Sequence, residues 1–480
     1  MKRVANVVLL FAAAGLFACS GGRPPNLLLI VLDTVRADRI ACEGGAASLT
    51  PHLDAFCERS IRFTHATSTS SWTLPAHASL FTGLYPITHG ATQEHTRLEA
   101  GVATLAEILG ERGYRTLGVS ANPVVSINSG LARGFDAFEE TWRARRAGGL
   151  PTPAEHPNRR AVDELLEFHP KQTPFFLFVN FIETHGPNTP PEPHRSRALS
   201  RDRDEASVRR AEHLSAREYY LDPTAISAEE FAIVNELYDG EISYLDALVG
   251  GLLDDLEAAG YLDDTVVVIT ADHGENLGDG GQFRHIFGLT PATVRVPLLI
   301  HLPGDGRGGE VRSEPVSLLD VFATLLARAG APPRGEAGRD LLSTELPAAP
   351  MIAEYYFPQQ ALTLFARDMH PDPPAQLRPY LRRQRSIEID GLRFVWSSDG
   401  RAALYDLAAD PREEHDVLAD PRFADEAARL RASLDDFVAQ HGGATPLPSS
   451  PGGREGAVGV FEDLDAESAR ELRALGYLPD

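Results

Sequence analysis

Acidic and imidazole side chains follow three short apolar runs of the chain. They are Asp33 after the first run, His185 after the second, and the doublet Asp272-His273 after the third. The carboxyl ends of parallel strands meet at one edge of a sheet, and ligands of open α/β sheets bind there. If the runs are strands, these side chains can converge, which is typical of a functional site. The alternative is that each of them only caps a helix or bonds a loop.

A hydroxyl group stands at the start of a predicted helix. Thr73 lies two residues before Pro75, and proline suits the first turn of a helix. The Thr73 hydroxyl would then lie at the positive end of the helix dipole, where oxyanions bind. The alternative is that Thr73 is simply the N-cap of this helix.

The apolar runs and the segments between them indicate the fold class. Runs of this length without polar alternation predict strands buried on both faces of a mainly parallel sheet. Five such strands are predicted: Asn26–Leu32, Thr116–Ser120, Phe175–Phe181, Val266–Ala271 and Val296–Leu302. Two helices are predicted between them, Leu105–Arg112 and Glu229–Ala259. Together these elements predict an α/β sandwich.

A Gly/Pro-rich stretch, Pro332 to Pro350, suggests where the large domain ends, and we place that domain at residues 26–345. A small antiparallel domain is expected at 346–441, followed by a flexible segment and a terminal helix at 442–480. Its predicted elements are the two strands Arg385–Ser397 and Ala402–Leu407, a turn at Asp399-Gly400 between them and a helix over Phe423–His441; the terminal helix is Asp463–Leu475.

The first residues indicate export. Lys2 and Arg3 precede an apolar run, Val7 to Phe17, that is too short to span a bilayer. Cys19 then follows in a context that resembles a bacterial lipobox, although Phe17 departs from the usual small residue. We expect a signal peptide at 1–18, a lipidated linker at 19–25, and a periplasmic or cell-envelope protein anchored to the membrane surface through Cys19.

Charge and cysteine content restrict the classes of partner and site. The formal net charge is -23 with no long basic run, which argues against a nucleic-acid partner. An anionic substrate would have to be held by a local cluster of metal, His and Arg. Cys42 and Cys57 could pair in an oxidising compartment, but we favour two separately buried thiols.

The stretch Thr73–Gly83 resembles the sulfatase signature, in which Cys or Ser stands two residues before Pro, Arg two residues after it, and Thr-Gly closes the helix. Other sulfatase-like segments recur in the same order, among them Gly134-Phe135-Asp136, Thr184-His185, Tyr238-Asp239-Gly240-Glu241-Ile242, Asp272-His273-Gly274-Glu275, Val296-Pro297-Leu298 and Leu404-Tyr405-Asp406-Leu407. The resemblance covers nearly the whole mature chain. It implies the alkaline-phosphatase-like sandwich of that superfamily and cleavage or transfer of a sulfate or phosphate ester.

The chain departs from the sulfatase pattern at three positions. Thr73 occupies the position of the residue that becomes formylglycine, and its methyl group precludes an aldehyde, so no formylglycine is expected. Thr34 stands where sulfatases usually carry a second Asp, and His77 stands where they carry Arg. A sulfated Thr would be hard to discharge without the aldehyde, so the chemistry favours phosphorus over sulfur.

With an oxygen nucleophile, the site is similar to that of the phosphoglycerol and phosphoethanolamine transferases of the same superfamily. That similarity implies one divalent metal held by four residues, Asp33, Thr73, Asp272 and His273, with Thr73 as nucleophile. Carboxylates with imidazole favour Zn or Mn, and Ca is possible.

Three histidines complete the expected site. The resemblance places His185 and His285 at the substrate, as acid or binding groups, and makes His77 an oxyanion contact. The charged insertion Asn188–Ser227 is expected to set substrate choice. The alternatives are a transferase or phosphodiesterase, a sulfatase with a formylglycine-free route, and a catalytically inactive binding lipoprotein. The substrate would be a sulfated or phosphorylated glycan, lipid or small molecule.

Overall fold

The structure is a computed structural model that describes residues 23–442 except 47–48, 144–151, 168, 336–337, 360, 363–364 and 366–372. Its strands are β1 (Asn26–Leu32), β2 (Ser60–Phe63), β3 (Ala66–Thr67), β4 (Arg115–Ser120), β5 (Ala137–Glu140), β6 (Phe175–Phe181), β7 (Thr265–Thr270), β8 (Arg295–Val296), β9 (Leu298–His301), β10 (Val311–Arg312), β11 (Val316–Ser317), β12 (Met351–Tyr355), β13 (Gln384–Ile389), β14 (Leu392–Ser397) and β15 (Ala402–Asp406). Its α-helices are α1 (Pro51–Glu58), α2 (Thr73–Thr82), α3 (Pro86–His89), α4 (Leu105–Gly110), α5 (Pro157–Glu167), α6 (His194–Ala198), α7 (Glu205–Glu212), α8 (Ala216–Leu221), α9 (Ala228–Ala258), α10 (Pro291–Val294), α11 (Leu318–Arg328) and α12 (Ala424–His441).

The central sheet has eight strands in the order β10-β2-β9-β7-β1-β6-β4-β5. The five strands from β7 to β5 are mutually parallel. Every residue of β1, β6 and β7 is buried. Because successive side chains point to opposite faces, both faces of these strands must be covered. The predicted α/β class with a mainly parallel sheet is therefore confirmed.

The prediction of a single strand over the last of the five runs is wrong. The run Val296–Leu302 is divided at Pro297 into β8 and β9, which belong to different sheets. Strand β9 pairs antiparallel with β7 and β2, whereas β8 joins β11 and β3 in a three-stranded sheet. Proline has no N–H to donate to a strand ladder, so the run cannot continue through it as one paired strand.

The small C-terminal sheet is antiparallel, in the order β12-β13-β14-β15. The segment Arg385–Ser397 contains two strands, because Asp390 and Gly391 form a tight turn with φ of 55° and 76°. The Asp399-Gly400 turn joins β14 to β15 as predicted. Helix α12 packs on this sheet, and the shared core is Tyr85, Leu319, Ile352, Ile387, Phe394, Leu404, Leu430, Leu434 and Phe437.

The charged insertion folds into α6, α7 and α8, which lie against the long helix α9 and the loop that follows β7. Tyr219 donates to the carbonyl of Gly281 at 2.7 Å, and Tyr220 to that of Phe283 at 3.0 Å. The insertion therefore supports the polypeptide that carries His285.

Cys42 and Cys57 form a disulfide, so the expectation of two separate thiols is wrong. The chain between them, including α1, folds back to bring the two sulfur atoms together. Cys19 and the predicted terminal helix Asp463–Leu475 lie outside the described residues. Among the helices of the described residues, none is long and apolar enough to cross a membrane.

Candidate active site

The predicted metal ligands converge at the carboxyl edge of the central sheet. Asp33 follows β1, and Asp272 and His273 follow β7, the parallel neighbour of β1. One ligand atom of each residue lies within 4.8 Å of the others. All three side chains have no exposed surface. The pairing of β1 with β7 is thus what assembles a set that is far apart in sequence.

Each of the two carboxyl groups has one oxygen bonded and one oxygen without a partner. Asp33 Oδ2 accepts from Nδ2 of Asn122 at 2.6 Å, and Asp272 Oδ1 accepts from the N–H groups of Thr34 and His273 at 3.1 and 2.8 Å. Asp33 Oδ1 and Asp272 Oδ2 have no hydrogen-bond partner among the described residues. Buried carboxylate oxygens without donors are costly unless a cation neutralises them. The residues present therefore fit a divalent metal.

The orientation of His273 agrees with this set. Its Nδ1 donates to the carbonyl of Gly274 at 2.9 Å, which leaves the lone pair on Nε2. A metal-binding histidine commonly has its other ring nitrogen fixed in this way. Nε2 lies 3.3 Å from the Thr73 hydroxyl, so His273 and Thr73 face the same point.

Thr73 is the first residue of helix α2, whose residues are all buried. The N-cap is Trp72, so the interpretation of Thr73 as the cap is wrong. Pro75 lies in the first turn, where its missing N–H is tolerated. The Thr73 hydroxyl is therefore held at the positive end of the helix, next to the three residues above.

Thr34 adopts φ of 58°, a left-handed conformation that is an outlier for a β-branched residue. Its hydroxyl donates to the Asp33 carbonyl at 2.7 Å, and its own carbonyl accepts from the Tyr238 hydroxyl at 2.7 Å. This backbone geometry directs the Thr34 N–H to Asp272. At the position of the second sulfatase Asp, the chain thus supplies a backbone donor to the site.

Burial shifts the pKa values of the three residues. It raises the pKa of Asp33 well above its usual range, with a further increase from the charge of Asp272. It raises the pKa of Asp272 to about 7 and lowers the pKa of His273. All three shifts disfavour the charged forms, as expected for groups buried in a low-dielectric site.

His185 and His285 lie beside the set, nearer to solvent. The His285 ring centroid is 4.6 Å from that of His273 and 5.0 Å from that of His185. Nδ1 of His185 donates to the Gly186 carbonyl at 2.9 Å, and Nδ1 of His285 faces the Glu275 carboxylate at 3.1 Å. Burial lowers the pKa of His185 to about 3 and that of His285 well below its usual value. Both rings are therefore neutral and keep a lone pair on Nε2.

His77 lies beneath the set and has no exposed surface. Its Nδ1 donates to the Thr73 carbonyl at 2.9 Å and is 3.5 Å from Asp272 Oδ2. Its ring meets Phe81 and Phe178 edge to face. In this position His77 contacts the backbone of Thr73, and the structure does not bring it to the solvent side of the site.

Two further site residues were not predicted. Asn122 follows β4, a predicted strand whose polar ending was the available signal. Glu275 was visible in the Asp272-His273-Gly274-Glu275 segment, and it is fully buried between His285 and Arg284. Both act on other side chains, which sequence patterns alone do not reveal.

Comparisons with known proteins agree with this fold. A sulfatase family model matches residues 25–331. An ulvan-active sulfatase of Formosa agariphila is 27% identical over 87% of this chain and 82% of the relative. A multifunctional alkaline phosphatase superfamily protein of Trinickia caryophylli is 27% identical over 83% and 92%. The solved structure of a phosphonate monoester hydrolase of Agrobacterium radiobacter has a TM-score of 0.69 at 23% identity, covering 87% and 96% of the two chains.

Proposed function

The chain belongs to the sulfatase family and is an ester hydrolase, and from that premise we propose that it cleaves an anionic ester with Thr73 as the nucleophile. The observation that supports this proposal is the placement of the Thr73 hydroxyl 3.3 Å from His273 Nε2. It lies beside two buried carboxyl groups, each with an oxygen that lacks a donor among the described residues. A divalent metal at this point would lower the pKa of the hydroxyl and stabilise charge on the reacting group.

The reaction has two steps. The Thr73 oxygen forms a bond to phosphorus while the bond from phosphorus to the ester oxygen breaks, and the Thr73 proton passes to solvent. His185 takes up a proton when the anionic ester binds and returns it to the departing alcohol. Water then attacks phosphorus and gives one proton to His185 while the bond from phosphorus to the Thr73 oxygen breaks. His185 passes that proton to the Thr73 oxygen, which restores its hydroxyl as phosphate leaves.

Phosphate esters are the preferred substrates in this proposal, and sulfate esters the alternative. A sulfated Thr has no aldehyde route for its discharge, whereas a phosphorylated Thr can be discharged by attack at phosphorus. The name of the ulvan-active sulfatase points to a sulfate ester and favours a glycan as the alcohol, whereas that of the phosphonate monoester hydrolase points to an ester of phosphorus. Zn or Mn is the preferred metal because the set combines carboxylates with imidazole.

Replacement of the nucleophile tests the proposal. We expect Thr73→Ala to lower turnover of aryl phosphates and sulfates by about 1,000-fold or more, because the first step is lost. Thr73→Ser, which keeps an oxygen nucleophile, is the matched control and should retain measurable turnover. Since Thr73 is not the cap, the stability cost should stay below the ~1 kcal/mol of a lost N-cap.

Intact-protein mass spectrometry with a slow phosphoester should show a phosphoryl adduct on the peptide that contains Thr73. If Thr73→Ala folds, binds metal and keeps wild-type turnover, then water attacks directly and the covalent route is wrong. Transfer to added alcohols, measured as a mixed ester product, would identify a transferase instead of a hydrolase.

We also propose that the protein is exported and lipidated at Cys19. The charged start, the apolar run and the lipobox-like context support this proposal, and the Cys42–Cys57 disulfide is typical of an oxidising compartment. Radiolabelled fatty acid should enter the wild-type protein in a bacterial host, and Cys19→Ser should abolish the label. Label that persists in the variant would rule out this anchor.

A further inference from the structure

The site residues differ in their exposure, and the difference shows where a substrate enters. Asp33, Asp272 and His273 are 0% exposed and Thr73 is 1% exposed, whereas His285, His185 and Arg284 are 4%, 7% and 8% exposed. The last three residues therefore form the solvent side of the site, which we call the rim. An ester that reaches Thr73 passes the rim.

Arg284 is fixed between the two loops that carry the rim histidines. Its Nη1 donates to Asn188 Oδ1 at 2.7 Å, and its guanidinium lies on Gly186, where an added Cβ would come within 2.3 Å of Nη1. Asn188 is the first residue of the charged insertion and in turn donates to the Thr184 carbonyl. The insertion therefore positions this guanidinium.

The backbone of Arg284 is held in an unfavourable conformation. Its φ of 62° lies in the left-handed region, which is uncommon for residues with a Cβ. Asn276 holds it in place from both sides: its carbonyl accepts from the Arg284 N–H at 2.8 Å, and its side-chain amide donates to the Arg284 carbonyl at 2.7 Å. Such strain persists where the surroundings impose it, and it occurs often at ligand-binding positions.

The charge of Arg284 is only partly neutralised. Its nearest carboxylate oxygen, Glu275 Oε2, is 3.9 Å away. Arg36 follows β1, and its guanidinium reaches the loop of Arg284; it is paired with Asp38 at 2.8 Å and with Asp279 of that loop at 2.6 Å. Among the described residues, Nε and Nη2 of Arg284 have no hydrogen-bond acceptor, and they are not sealed from solvent. Arg284 thus retains donors for an incoming anion.

From these observations we propose that Arg284 binds an anionic oxygen of the ester and selects dianionic phosphate monoesters over singly charged esters. The chain carries a net charge of -23, and the rim imidazoles present lone pairs, so a guanidinium is what attracts the substrate at this point. This inference rests on the proposed function, since it assigns the substrate class of the same site.

The first test measures binding of inorganic phosphate to the metal-loaded protein by calorimetry, which requires no turnover. Arg284→Gln should weaken phosphate binding by about 10- to 100-fold, the usual range for a charge-assisted hydrogen bond. Arg36→Gln, which removes a nearby guanidinium that is already paired with Asp38 and Asp279, is the matched control and should leave phosphate binding unchanged. Equal affinity in Arg284→Gln and the wild type, at equal metal content, would overturn the assignment.

The second test uses turnover. With 4-nitrophenyl phosphate, Arg284→Gln should raise KM more than it lowers kcat, and the loss should be larger than with 4-nitrophenyl sulfate, which has one charge less. An equal loss on both substrates would indicate a structural role and overturn the inference. If Arg284→Gln does not fold, Arg284→Lys decides: weaker phosphate binding with normal metal content supports the contact, and wild-type binding refutes it. Phosphate binding does not depend on Thr73, so failure of the covalent mechanism would be seen separately.

Discussion

Two groups of side chains have the residue types and spacing of a metal site, and they differ in almost everything else. One is Asp33, Asp272 and His273 at the carboxyl edge of the sheet; the other is Asp410, Glu414 and His415 between β15 and α12. The first group is buried and is drawn from two strands. The second is local in sequence and partly or fully exposed.

The hydrogen-bond partners of the carboxyl groups explain why the difference in burial matters for metal binding. Asp410 Oδ2 accepts from the His415 N–H at 2.7 Å. Desolvation acts to raise its pKa, but hydrogen bonds from the backbone of His415 and Glu414 outweigh it and hold the pKa below the usual value. At Asp33 and Asp272, burial prevails and the pKa values rise. A carboxylate that accepts hydrogen bonds from water and backbone N–H groups needs no ion. The candidate metal site is therefore distinguished by its burial and by the lack of hydrogen-bond donors to its carboxylate oxygens, not by its residue types.

The largest expected difference between the two groups is in metal content and turnover. We expect about one equivalent of Zn or Mn per chain in the wild type, and Asp272→Asn should lose most of it together with about 1,000-fold or more of the turnover. Asp410→Asn, the matched control, should keep both. Metal analysis of the purified variants measures this directly, and metal retained in Asp272→Asn would place the site elsewhere.

The pH dependence of metal binding should be the next largest difference. Protons compete with the metal at Asp33 and Asp272, whose pKa values are both raised, so affinity should rise with pH up to and through about 7, the pKa of Asp272. Burial lowers the pKa of His273, so protons compete with the metal less at this ring than at a free imidazole. Metal affinity should be measured by competition with a chelator from pH 5.5 to 8.5. The slope of its logarithm against pH should approach about two, one for each proton released. A flat profile would show that both carboxyl groups ionise normally.

The same pKa shifts set the sign of the stability change in metal-free protein. Below pH 3.8, the pKa of an Asp in the unfolded chain, Asp272 is protonated in both the folded and the unfolded state and carries no penalty. As pH rises toward about 7, the unfolded chain loses this proton while the folded chain keeps it, so the free energy of unfolding falls. Denaturant titrations of chelated protein at pH 4.5, 6 and 8 should show this fall, and metal-loaded protein should not.

Removal of the metal at fixed pH should have a smaller but clear effect on folding. A ligand present at about 1,000 times its Kd stabilises the native state by ~4 kcal/mol. Chelation should therefore lower Tm by several degrees in the wild type and equally in Asp410→Asn. In Asp272→Asn, chelation should change little, because the site is already empty. An unchanged Tm in chelated wild type would mean that no metal had been bound in the native state.

The contrast between the two groups also shows which parts of the fold and of the site can be predicted from the sequence. Strands β1 and β6 have the predicted ends because their apolar runs are bounded by polar residues. The predicted metal set is brought together because the polar residues that follow β1 and β7 must share an edge once those strands pair in parallel. The sequence alone does not separate this set from Asp410, Glu414 and His415, since burial depends on what packs around each group.

The other features that the sequence analysis did not predict each have a physical reason. The Asp390-Gly391 turn was readable as a hairpin signal, and Pro297 as a strand break. The pairing of Cys42 with Cys57 depends on how α1 folds back, which residue patterns do not show. The roles of Asn122 and Arg284 depend on which loops meet, and that follows from the strand order of the whole sheet.

The smallest expected effect concerns Asn122. Its replacement tests whether a residue that orients Asp33 affects metal binding more than a buried residue that does not. Its Nδ2 donates to Asp33 Oδ2 at 2.6 Å, and its Oδ1 accepts from the Val124 N–H at 2.8 Å. This amide therefore fixes which oxygen of Asp33 faces the metal position. Side chains that orient a ligand in this way typically change metal affinity by about 10- to 100-fold when they are removed.

We therefore expect Asn122→Ala to weaken Zn or Mn binding within that range and to leave folding intact. Asn158→Ala is the control, because Asn158 is also buried but bonds Thr141 and the backbone carbonyl of Asn180, and none of its side-chain hydrogen bonds goes to the metal set. Asn158→Ala should lower Tm without a change in metal affinity. If both variants weaken metal binding equally, the effect is general loosening of the sheet edge. If neither variant weakens metal binding, the amide of Asn122 is not needed to orient Asp33, and the strands alone position its carboxylate.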